Sequence, residues 1–228
     1  MSIPIYYLEY ILILLSISFP FSLSLFLTNI YVIFLKNKKP FETNFFVTQY
    51  IVSLLVLIIV AFTSNSSLVN YMIKSLSVKI NYNYLILLIL SPIIGVMNTY
   101  LEFFESAIVI WLLIEKGKFI IPRIVISYRI KIYLLIIVTF LEEIIYRFLV
   151  FNLLLYHLHI NIFLVLIISS LIYSLNHLYF QNYYVLINKF SSGLVYGILF
   201  YLSNSLLLVF LVHLSQNIYL YYTSRRYP

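Results

Sequence analysis

Apolar runs long enough to cross a bilayer recur along this chain, and short basic or polar segments separate them. A membrane span needs about 20 mostly apolar residues. Runs of this kind occupy residues 10–35, 45–62, 84–114, 132–156, 162–180, 190–202 and 206–222, the sixth being short. Only 9% of residues are charged, against roughly a quarter in a soluble domain. The chain therefore reads as an all-α, polytopic membrane helix bundle of seven or eight transmembrane helices. At 228 residues it has room for one membrane domain and no sizeable soluble one.

The segments between the runs carry further information. Pro20 can kink the first run, because proline removes a backbone hydrogen bond, and Lys36-Asn-Lys-Lys-Pro40 ends it. Residues 1–20 lack a basic leader and carry Glu9, so they read as the start of the first span rather than as a signal peptide. Residues 68–80 suit a short interfacial helix. The run 84–114 would measure about 46 Å as one helix, longer than the roughly 30 Å hydrocarbon core. It must tilt, break near Pro92 and Gly95, or end along the interface, which puts Glu102 and Glu105 near the boundary. Asn188 and Lys189 read as part of a polar loop.

With seven spans, one side holds eleven basic residues: Lys36, Lys38, Lys39, Lys116, Lys118, Arg123, Arg129, Lys131, Lys189, Arg225 and Arg226. The other side holds Lys74 and Lys79. The positive-inside rule then puts the C-terminus in the cytoplasm. The net charge of +7 is thus a topology signal and does not call for nucleic acid as a partner. The absence of cysteine excludes disulfides, thiolate metal sites and a cysteine nucleophile. Residues 1–130 form the N-terminal spans and a cytoplasmic loop, and residues 131–222 carry the chemistry.

That chemistry sits in the run 132–156, which Glu142, Glu143 and Arg147 interrupt. A charged side chain near a bilayer centre costs roughly 2.5–3.5 kcal/mol on insertion scales, so three within two turns require a reason. Residues four apart share a helix face. Glu143 and Arg147 can therefore pair, while Glu142, rotated by about 100°, must do something else. The later runs bring His177, with Tyr173 one turn before it, and His213 with Asn217 four residues on. Taken alone, His177 reads as a packing histidine, and His213 with Asn217 as interhelical hydrogen bonding. Together with the glutamates they suffice for peptide hydrolysis. A carboxylate beside a histidine activates water, and a second histidine and an amide stabilise an oxyanion. The alternatives for the Glu-Glu-Arg cluster are a structural ion pair or a transport pathway. Glu142, His177 and His213 are also ligand types for a divalent metal such as zinc, so a cofactor of that kind or none at all fits the residues. His157 and His159 read as loop residues, and Gly193 and Gly197 as a Gly-x-x-x-Gly helix contact.

The ordered set Glu142-Glu143-Ile-Ile-Tyr-Arg147, Tyr173-Ser-Leu-Asn-His177 and His213-Leu-Ser-Gln-Asn217 resembles the CPBP family of CAAX proteases and bacteriocin-processing (Abi) proteins. The resemblance covers about residues 130–222. Tyr173 stands where the family has phenylalanine, and Phe148 where many members have glycine. The resemblance implies an intramembrane endopeptidase cutting near the cytoplasmic face of a plasma membrane, bacterial by the composition of the chain. By position, Glu142 and His177 would activate water, and His213 and Asn217 would stabilise the oxyanion. Glu143 and Arg147 would support them. The implied partner besides the bilayer is a peptide or protein tail: a peptide pheromone, a bacteriocin or a prenylated C-terminus. Members also serve in bacteriocin self-immunity, so a non-catalytic binding protein is the rival reading. A proton-coupled transporter is a weaker third, since no broken-helix inverted repeat is visible.

Overall fold

The computed structural model describes residues 82–114, 131–178 and 185–226, together with Ile51 and Leu55. The expected spans at 10–35 and 45–62, the interfacial helix at 68–80 and the loop to residue 130 lie outside the described residues. The count of seven or eight spans and the charge count by side rest largely on those segments.

The described residues are helical apart from short connections such as residues 158–161 and 204–205. Helix α1 runs Tyr82–Val109 and widens into a π-helical turn at Ile110–Ile114; α2 spans Ile132–Glu143 and continues as π-helical turns at Ile144–Phe151 and Leu153–His157. Helices α3, α4 and α5 cover Ile162–Leu178, Val185–Ser203 and Leu206–Arg226. Among the described residues, two helical stretches are long and apolar enough to cross a membrane, Tyr82–Leu112 and Leu206–Thr223, and Ile162–His177 is a shorter apolar helix. Ile89, Met97 and Phe104 of α1 and Phe163 of α3 point outward. The polar side chains Asn98, Glu102, Glu143, Arg147 and Gln216 are buried. That inverted distribution suits a bundle whose outer solvent is lipid.

Helix α1 does not break at Pro92. A proline inside a helix leaves the carbonyl four residues earlier without its N–H partner. Here that carbonyl belongs to Leu88, and the Ser91 hydroxyl donates to it at 2.8 Å. The neighbour thus supplies the missing donor, and the helix runs on for its full length. Gly95 serves a different purpose. A Cβ there would collide with the Val212 carbonyl and lie 2.8 Å from Ser215 Cβ. It lets α1 and α5 approach backbone to backbone. A Gly95→Ala substitution should therefore cost about 1–3 kcal/mol of stability through overpacking, measurable as a lowered unfolding temperature in detergent.

The remaining packing follows from sequence as expected. Gly193 and Gly197 of α4 sit against α3, with added Cβ atoms meeting Ser170 at 3.0 Å and Leu166 at 2.9 Å. The core between α2, α3, α4 and α5 is built from Ile145, Tyr146, Phe151, Val165, Tyr173, Tyr196 and Phe200.

Polar residues on two helices are placed in ways that spacing did not foretell. Glu102 is fully buried between helices and accepts from Lys189 Nζ at 2.9 Å. Asn188 and Lys189 do not lie in a loop; both belong to α4 and face α1, where Asn188 donates to Ser106. The loop reading has a physical cause: a charge looks tolerable only at a boundary when judged alone, whereas the fold supplies Lys189 with a partner 87 residues away.

Candidate active site

The three motif helices converge. Helix α2 delivers Glu142 and Glu143 from its last α-helical turn, and Arg147 follows within the π-helical segment. Single-turn π geometry is often found at functional sites. The pairing of Glu143 with Arg147 is retained, with Arg147 Nε 3.4 Å from Glu143 Oε2. The Arg147 guanidinium is fully buried and faces the rings of Tyr173 and Tyr196, at 5.2 and 5.7 Å from their centroids. Those cation–π contacts and the Glu143 charge hold a group that otherwise makes no hydrogen bond among the described residues.

His213 of α5 turns Nδ1 toward Glu143 Oε1 at 2.6 Å. A carboxylate only accepts, so Nδ1 carries the proton and, in the neutral ring, Nε2 keeps its lone pair. His177 of α3 is arranged in the same way. Its Nδ1 lies 2.9 Å from the backbone carbonyl of Tyr173, to which it donates. The two Nε2 atoms then face the Glu142 carboxylate, each at 3.6 Å and each on a different oxygen. The adjacent acids are thus divided as the 100° offset requires: Glu143 grips His213 from behind, and Glu142 lies between the two imidazoles.

Asn217 stands one turn beyond His213 and donates to Thr139 Oγ1 of α2 at 2.9 Å, with Thr139 bonded in turn to the Leu135 carbonyl. One of its two N–H groups is therefore engaged with α2 rather than with the glutamates. Thr139 was not singled out from sequence, although it lies four residues before Glu143 on the same face. Tyr173 contributes more than a packing ring. Its hydroxyl lies 3.5 Å from His213 Nε2, at the outer limit of a hydrogen bond. Tyr196, also missed, stacks on the His213 ring at 4.6 Å and 25°. No spacing rule links an aromatic residue on α4 to a histidine on α5. His159 is exposed and has a positive φ of 52°, as suits a loop residue away from the site.

The donor types suit zinc, and both histidines hold Nδ1 in the manner of metal ligands. Among the described residues, however, no three His, Cys, Asp or Glu side chains stand where they could jointly hold a metal ion. The set fits a divalent metal in chemistry but not in arrangement.

Residues 124–219 match the model of a family described as type II CAAX prenyl endopeptidase Rce1-like. Over this segment the chain is similar to the Rce1-like family. The match spans all three motifs and every residue of the constellation just described, and it agrees with the CAAX-protease resemblance read from the residues. No curated protein and no solved structure matches the chain. The Rce1-like similarity supports an intramembrane endopeptidase in general, and together with the apolar helices it suggests an integral membrane protein. Helix α1 lies outside the Rce1-like segment, yet it packs against α4 and α5.

Proposed function

We propose that the chain hydrolyses a peptide bond in a C-terminal tail near the cytoplasmic face of a plasma membrane, with Glu142 as general base. One observation carries this reading: the Glu142 carboxylate lies between two imidazole Nε2 atoms whose Nδ1 atoms are already committed. With His213 protonated on both nitrogens, a water bound among these groups meets two acceptors, the Glu142 carboxylate and His177 Nε2. Glu142 takes a proton from it as its oxygen attacks the scissile carbonyl carbon. The oxygen of that carbonyl gains charge, and donors from His213, as an imidazolium against Glu143, and from the second N–H of Asn217 stabilise it. When the C–N bond breaks, the proton on Glu142 passes to the leaving amine, and the water oxygen remains in the new carboxylate. His177 orients the water through Nε2. Glu143 and Arg147 hold His213 and are positioning residues.

The test is cleavage of a membrane-anchored tail by the full-length protein in liposomes, using a farnesylated CAAX-type peptide and its unlipidated counterpart. Cleavage of the lipidated peptide that falls by about 10²–10⁴-fold in His177→Ala supports the reading. Wild-type protein that binds this peptide without cutting it would instead favour the self-immunity or sequestration role.

A further inference from the structure

A run of buried hydrogen bonds leads from α1 to His213. Lys189 Nζ donates to Glu102 Oε1 at 2.9 Å, and Ser192 Oγ donates to the same oxygen at 2.6 Å. Asn98 spends both amide N–H groups, one on Ser192 Oγ at 3.0 Å and one on Gln216 Oε1 at 2.6 Å. Gln216 Oε1 also accepts from the Tyr196 hydroxyl. The directions are mutually consistent: each of the five donations named goes to one acceptor, and the two shared oxygens, Glu102 Oε1 and Gln216 Oε1, each accept twice. The run ends at the Tyr196 ring, whose face lies against His213. Asn98, Ser192, Tyr196 and Gln216 are all buried.

A stacked ring restrains a histidine only if the ring itself cannot slide. The Tyr196 hydroxyl is pinned at its far end by Gln216, and Gln216 is pinned by Asn98. His213 is thereby bounded on its face by Tyr196 and on its Nδ1 edge by Glu143. Neither Asn98 nor Glu102 lies within the residues that match the family model. We propose that Asn98, acting through Gln216 and Tyr196, is a positioning residue that fixes the orientation of the His213 ring, so that α1 forms part of the active-site framework. This rests on His213 as an active-site group, but its test does not depend on cleavage.

The experiment uses full-length protein labelled with ¹⁵N-histidine in detergent micelles, with the His213 signals identified by their loss in His213→Gln. At a pH where the ring is neutral, wild type should give two well-separated ring-nitrogen signals, because donation to Glu143 selects one tautomer. In Asn98→Leu and Tyr196→Leu the signals should broaden and draw together. Tyr196→Phe, which removes one oxygen and keeps the stacked ring, should fall between them and serves as the folding-safe variant. With the lipidated peptide, kcat in the first two variants should fall about ten- to hundredfold, as a misplaced catalytic group entails, with KM changed less than twofold. Unchanged His213 signals in Asn98→Leu and Tyr196→Phe would overturn the inference, whatever the activity. Altered signals in a protein that cleaves no peptide even as wild type would sink the protease reading and leave the positioning role standing.

Discussion

A Glu142→Gln variant of the full-length protein should cut the lipidated peptide about 10²–10⁴-fold more slowly than wild type, the range expected when a general base is removed. Glutamine has nearly the shape of glutamate and can still approach the two Nε2 atoms, so the helix bundle should keep its unfolding temperature. What it cannot do is take a proton from water and return it to a leaving amine. KM should change little, because the side chain is proposed to act on water rather than to grip the peptide. Glu142→Asp tests the geometry separately: it keeps the acid and withdraws it by one methylene, so it should retain partial activity. Full activity in the glutamine variant would remove Glu142 from the mechanism and, with it, the division of work between the two adjacent acids.

The second large effect falls on stability. Lys189→Met should destabilise the bundle by about 3–5 kcal/mol, because it leaves the Glu102 carboxylate buried without its cation. Glu102→Leu should cost a similar amount for the converse reason. The double variant Glu102→Leu/Lys189→Met should be more stable than either single one, since replacing a buried ion pair by apolar groups is often neutral. The difference gives the coupling energy of the pair. Chemical unfolding of the four proteins in one detergent measures it. Singles that add simply in the double variant would show that the 2.9 Å contact between Lys189 and Glu102 carries no coupling.

The same pair shows where the sequence was legible and where it was not. Glu143 with Arg147, and the separate job of Glu142, follow from helical spacing alone, because all three lie on one continuous segment. The motif residues His177 and His213 were recognisable by type and order. Their committed Nδ1 atoms were not, since one acceptor is a backbone carbonyl and the other sits 70 residues away. Glu102, Lys189, Asn98 and Gln216 were illegible for a related reason. Hydropathy weighs each residue alone, and nothing local marks two polar residues on different helices as partners. The π-helical continuation of α2 was also invisible, because reading faces from spacing assumes a constant 3.6 residues per turn. The helical architecture was legible because apolar length is a local property.

The two histidines differ in how much freedom the fold leaves them. His213 is backed by a carboxylate, covered by a stacked ring and approached by the Tyr173 hydroxyl, and its side chain is 3% exposed. His177 is bonded to a carbonyl of its own helix and lies against the tilted Tyr173 ring at 4.6 Å, one residue from the end of α3, and is 14% exposed. One imidazole is thus enclosed on every side and the other is open on one edge. On the proposed mechanism, the more exposed His177 is the imidazole that an entering tail meets first, with His213 behind it.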